Sequence, residues 1–159
     1  MSNKNAEILS LWAELFVAHP LAVRKVEARI KGKAPLGLDE YDILLILSRS
    51  ENFRCRFSFL AEESLYTKSG VSRVAKRLID RGFILKEECQ EDRRGAYAVL
   101  TTEGVKALKK TWEYYSEAIV SVLGPCFNLE KTIELRKLLG SLVDQLRDQP
   151  PIPMPTLKK

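Results

Sequence analysis

Residues Thr67 to Gly104 read TKSGVSRVAKRLIDRGFILKEECQEDRRGAYAVLTTEG, and this stretch decides the fold. Between Thr67 and Arg81, five basic residues (Lys68, Arg73, Lys76, Arg77 and Arg81) stand against one acid, Asp80. Val71, Val74 and Leu78 recur among them at helical spacing, which predicts an amphipathic helix with a basic face. Gly82 follows where a helix commonly ends in a left-handed residue. Alone, such a segment could be an ordinary solvated helix surface; its neighbours argue otherwise. Upstream, residues 58–65 read as a short helix with Ser58 as N-cap, and Tyr66-Thr67 make a tight turn. Downstream, residues 83–89 and 96–101 are rich in aromatic and aliphatic side chains and read as strands. The polar stretch from Gln90 to Gly95 between them reads as a hairpin tip carrying Arg93 and Arg94. A helix-turn-helix followed by such a hairpin is a winged helix, whose helix enters a major groove while the wing reaches a neighbouring groove.

The flanks read as long helices. Ile8, Trp12, Leu15, His19, Val23, Val26 and Ile30 form one apolar stripe, with a kink or lost turn expected at Pro20. Residues 38–47 predict a short, mostly buried helix with Asp39 as N-cap. Val105, Leu108, Trp112, Tyr115, Ile119 and Val122 make another stripe, Gly124-Pro125 breaks it, and Leu135, Leu138, Leu142 and Leu146 begin a third. These stripes exceed what a small winged domain can cover, so a second copy of the chain is expected against them. The fold class is therefore mainly α with a small β-hairpin wing. One domain over 1–148 is expected, with a winged core near 38–101 and dimerisation helices near 5–31 and 102–148. The Pro-rich residues 149–159 are expected to form a flexible tail.

Composition narrows the function classes. The chain has 159 residues, 45% hydrophobic and 30% charged, with a net charge of +5, which suits one globular domain with an anionic partner. The longest charge-free run, Ala118 to Leu129, is too short to span a membrane, and the N-terminus lacks the basic start and cleavage site of a secretory signal. A cytoplasmic protein is expected. Cys55, Cys89 and Cys126 are widely spaced and odd in number, and His19 is the single histidine, so neither a disulfide framework nor a metal site is indicated. No cofactor motif is present, and no serine or cysteine has a recognisable activating partner, so an enzyme is not expected.

The order of elements resembles the MarR family of bacterial winged helix-turn-helix transcriptional regulators over nearly the whole chain. Asp92, Arg94, Leu100 and Thr101 match the family's wing signature D-x-R-x-x-x-L-x-L-T, while Ala98 stands where leucine is preferred. Gly104 follows three residues after the threonine. The resemblance implies a homodimeric repressor, less often an activator, on a pseudo-palindromic double-stranded DNA operator. It places Thr67, Lys68, Ser69, Gly70, Ser72, Arg73 and Lys76 on DNA-facing recognition positions. Arg94 falls on the arginine that enters the minor groove and Asp92 on the acid that holds it; Arg93 stands beside them at the tip. Arginine can pair bidentately with guanine, and a narrow minor groove attracts a guanidinium.

The wing segment most resembles the branch of the family that answers to urate and related small aromatic anions. That resemblance implies Trp12, Asp42 and Arg77 as ligand residues, with Asp42 holding Arg77 in the empty state. Each has a plainer reading too: Trp12 on the core stripe, Asp42 as a first-turn acid, Arg77 facing phosphate. Two rival functions stay open. One is a cysteine-based redox-sensing regulator using Cys55, Cys89 or Cys126. The other is a winged-helix protein-interaction module without DNA binding.

Overall fold

A computed structural model describes residues 2–64, 66–88 and 95–146. Among these, six helices and three strands follow in the order α1 (Asn3–Ile30), α2 (Leu38–Arg49), β1 (Arg54–Arg56), α3 (Phe57–Glu63), α4 (Lys68–Asp80), β2 (Ile84–Glu88), β3 (Ala96–Leu100), α5 (Thr102–Leu123) and α6 (Leu129–Leu146). The fold is mainly α with a small antiparallel sheet, a winged helix-turn-helix set between long end helices. The sheet order is β1-β3-β2, with Cys55 opposite Ala98 and Ile84 opposite Leu100.

The core gathers where the helix-turn-helix meets the sheet. Leu44 and Leu47 of α2, Leu60 of α3, Leu78 of α4 and Ile84 of β2 are sealed from solvent. Val71, Val74 and Ala75 complete the buried face of α4, as the spacing predicted. Tyr41 of α2 stands edge-on to Tyr115 of α5 at 5.0 Å between centroids, which ties the winged core to the long C-terminal helix. A second, smaller cluster of Val26, Ile30, Leu38 and Ala118 docks the last turns of α1 on α5.

Several local expectations need correction. α1 runs through Pro20 without losing a turn. The proline ring forgoes one bond to the carbonyl four residues back, and both Phe16 and Pro20 lie on an exposed stretch where water can satisfy that carbonyl. α2 starts at Leu38 with Gly37, not Asp39, as N-cap, because the Glu40 carboxylate reaches back to the Gly37 N–H at 3.2 Å. α3 starts at Phe57 directly out of β1, so Arg56 and not Ser58 precedes it. β1 itself was not expected: three residues, two of them charged, leave no strand signature. Asn52 and Phe53, with φ of 53° and 56°, turn the chain into it.

α1 also bears on the membrane reading. It is the one helix among the described residues long and apolar enough to cross a membrane. Counting charge-free runs hid this, because Glu7 and Glu14 interrupt the stretch from Ala6 to Val23 without making it polar. The Pro-rich residues 149–159 lie outside the described residues.

Candidate nucleic-acid interface

α4 is divided into two faces by its own sequence. The apolar residues Val71, Val74, Ala75 and Leu78 face the core, while Thr67, Lys68, Ser69, Ser72, Arg73 and Lys76 are exposed and Gly70 is half-buried. The start of the helix is pinned by the Thr67 hydroxyl, which accepts the Gly70 N–H at 3.1 Å and lies 3.2 Å from the Ser69 hydroxyl. Ser72 donates to the Lys68 carbonyl at 3.0 Å, leaving its lone pairs outward. Among the described residues, no ion pair engages Lys68, Arg73 or Lys76. Three uncommitted cations, three hydroxyls and a helix N-terminus share one solvent face. That combination suits a phosphate backbone with base edges beyond it.

Arg77 of α4 and Arg81 at its C-cap are occupied. Arg77 donates through Nη2 to Asp39 and through Nε to Glu40 at 3.4 Å. Arg81 donates to Glu40 at 2.7 Å and to the Pro35 carbonyl at 2.6 Å, and its guanidinium lies 4.6 Å over the Phe83 ring. Burial, which opposes the charge, is the largest single influence on Arg77. The combined pull of Asp39 and Glu40 outweighs it and holds the guanidinium above its ordinary value. The basic surface read from the sequence is thus two sets, one open and one tied to α2.

The wing is fastened at its base. β2 and β3 pair down to Glu88 opposite Ala96, and Asp92, Arg93 and Arg94 lie in the stretch between, outside the described residues. Thr101 explains its place in the signature: its hydroxyl donates to the Gly82 carbonyl at 2.8 Å and accepts the Gly104 N–H at 3.0 Å. A Cβ on Gly104 would stand 2.2 Å from the Phe83 carbonyl oxygen, so only glycine lets α5 approach the end of α4 this closely. Arg54 and Arg56, which sequence reasoning missed, lie 4.3 and 5.7 Å from the Tyr97 ring centroid on the sheet.

The ligand trio is not assembled as expected. Asp42 does not hold Arg77; it accepts the Tyr66 hydroxyl at 3.0 Å, and Asp39 and Glu40 take Arg77 instead. Asp39 and Glu40 belong to the first turn of α2, beside Arg77, and Asp42 lies further along the helix, beside Tyr66. Burial pushes the Asp42 carboxyl above its ordinary value, against the lowering effect of the Tyr66 bond. Trp12 is 68% exposed on α1 and packs against Phe16 at 6.5 Å. An open cavity of about 590 Å³ lies at the elbow between α1 and α2, walled by Ile30, Leu36, Leu38, Arg24, Glu40 and Arg81.

The cysteines differ in environment. Burial pushes the Cys55 thiol up to about 11, so it carries almost no thiolate at neutral pH. Cys126 is exposed, and Cys89 lies outside the described residues. Among the described residues, no group of three or more His, Cys, Asp or Glu side chains could hold a metal ion.

The MarR family profile matches residues 35–95, from the start of α2 into the wing. The HTH-type transcriptional repressor YetL of Bacillus subtilis is 27% identical over 145 residues, covering 91% of this chain and 86% of its own. Over its winged core the chain is similar to the MarR family. Sco3205, a MarR family regulator of Streptomyces coelicolor solved in complex with DNA, superposes with a TM-score of 0.74 at 25% identity, covering 91% of this chain and 90% of its own. AbsC, a MarR family regulator of the same organism, gives 0.72 at 27% identity, covering 94% and 98%. By this likeness the chain is read as a DNA-binding transcriptional regulator, and the relatives named are regulators rather than enzymes.

Proposed function

We propose that this chain is a homodimeric repressor, acting in the cytoplasm on a pseudo-palindromic operator. The observation that carries the reading is the exposed face of α4, where Lys68, Arg73 and Lys76 stand uncommitted beside the Thr67, Ser69 and Ser72 hydroxyls. α4 enters the major groove, Arg73 reads a base edge, and Arg94 of the wing enters the minor groove with Asp92 and Arg93 beside it. Dimerisation rests on the uncovered apolar residues of α1 and α6, and residues 1–148 form the one domain. The two recognition helices then lie about one helical turn of DNA apart.

A small aromatic anion releases the operator in this proposal. Trp12 supplies a stacking face, and the anion competes with Asp39 and Glu40 for Arg77; Asp42 is a bystander to that pair. The elbow cavity offers space beside the same contacts.

Selection of bound fragments from genomic DNA tests the reading. The expected result is an inverted repeat whose affinity falls about 10³–10⁵-fold between 50 and 200 mM salt. Arg73→Ala should cost about 1–3 kcal/mol and relax the preference at one base position. No inverted repeat and a flat salt response would overturn the proposal.

A further inference from the structure

Glu40 and Thr111 are the buried polar or charged side chains among the described residues, and both end on the loop between α1 and α2. Thr111 of α5 accepts the Leu36 N–H at 3.3 Å through its hydroxyl. Glu40 accepts the Gly37 N–H and the two guanidinium groups of Arg77 and Arg81. Removing a carboxylate from water is costly, and an ion pair inside a protein often returns no more than that cost. Stability alone therefore does not account for an acid at this place, and the geometry supplies another reason.

Arg73 and Arg77 of α4 and Arg81 at its C-cap follow one another at four-residue intervals, so they lie along successive turns. Glu40 grips two of those turns at once. The buried apolar face sets the roll of α4 broadly, and two contacts on one carboxylate from successive turns narrow it. We propose that Glu40 is a positioning residue for DNA recognition, setting the roll of α4 so that Arg73 and the hydroxyls of its first turns meet the groove. Asp39 and the Pro35 carbonyl share the arginines and hold the same orientation. The proposal rests on α4 being the DNA-facing helix.

The test compares Glu40→Gln, Arg81→Gln and the double variant with the wild-type dimer on the selected operator duplex. Glutamine at 40 keeps the shape and can still accept the Gly37 N–H. Each single variant should bind about 3- to 30-fold more weakly, with the dimer intact. The double variant should be no weaker than the worse single, because one contact is removed in all three. The slope of affinity against salt should match wild type, since no phosphate contact is lost. Affinities within twofold of wild type, additive losses, or a shallower salt slope would each overturn the proposal; so would unfolding of both single variants, which would make the contact structural. If the wild type itself selects no operator, the fault lies instead with the proposed function.

Discussion

The winged core and the end helices treat their apolar residues in opposite ways. In α2, Ile43, Leu44 and Leu47 are fully buried, while in α6 Leu138 is 64% and Leu146 73% exposed and no residue is buried. Both helices carry leucines at helical spacing, so periodicity cannot tell them apart. α2 packs against α3, α4, α5 and the sheet, whereas α6 stands with its leucines open to solvent. The first half of α1 shares the condition of α6, with Trp12 and Phe16 exposed. One chain holds enough structure to complete its recognition helix and leaves a surface that needs covering. In the proposed dimer a second copy is that cover, in place of the membrane that the length and apolarity of α1 alone would permit.

The largest expected effect breaks this division at α6. Leu138→Lys with Leu142→Lys should yield monomers by sedimentation and lower operator affinity by about 10²–10⁴-fold, the avidity lost with the second half-site. The far-ultraviolet signal of the core helices should persist. A dimer that survives both lysines would place the seam elsewhere.

A core substitution sharpens the contrast. Leu78→Ala, at a fully buried position of α4, should cost about 2–5 kcal/mol of stability in urea denaturation. Leu138→Ala made in the monomeric state should change stability within about 0.5 kcal/mol, as for any uncovered position. Comparable losses at both sites would mean that α6 is packed within a single chain.

The smallest effect concerns Asp42, in the core helix yet set apart from the arginines. Its carboxyl is raised in the folded state, so folding favours the protonated form. The stability this contributes is present below the ordinary Asp range and is lost as pH rises through the raised value. Asp42→Asn should therefore be more stable than wild type at neutral pH, and the gain should vanish on acidification below about 4. A gain constant with pH would show that burial of the charge is not its source.

Much of the fold was legible in local sequence. The apolar spacing of Val71, Val74 and Leu78 defined α4 and its buried face. Gly82, with φ of 73°, ended that helix as expected. Thr101 and Gly104 marked the junction of wing and α5, and their hydrogen bond and close approach give that spacing its physical reason. Such features depend on contacts within a few residues, where side-chain type and period largely decide the outcome. The exposed cations of α4 were legible for the same reason, since the opposite face of an amphipathic helix is the solvent face.

Tertiary structure decided how the charges are shared. Arg77 meets Asp39 and Glu40 across 38 and 37 positions of sequence, and the packing of α4 against the first turn of α2 chose those acids over Asp42. β1 exists because β3 offers it an edge, not because Arg54-Cys55-Arg56 favours a strand. Local periodicity fixes which face of a helix is apolar. It does not fix which distant side chains that face brings within reach, because this depends on how the packed elements are rotated against one another.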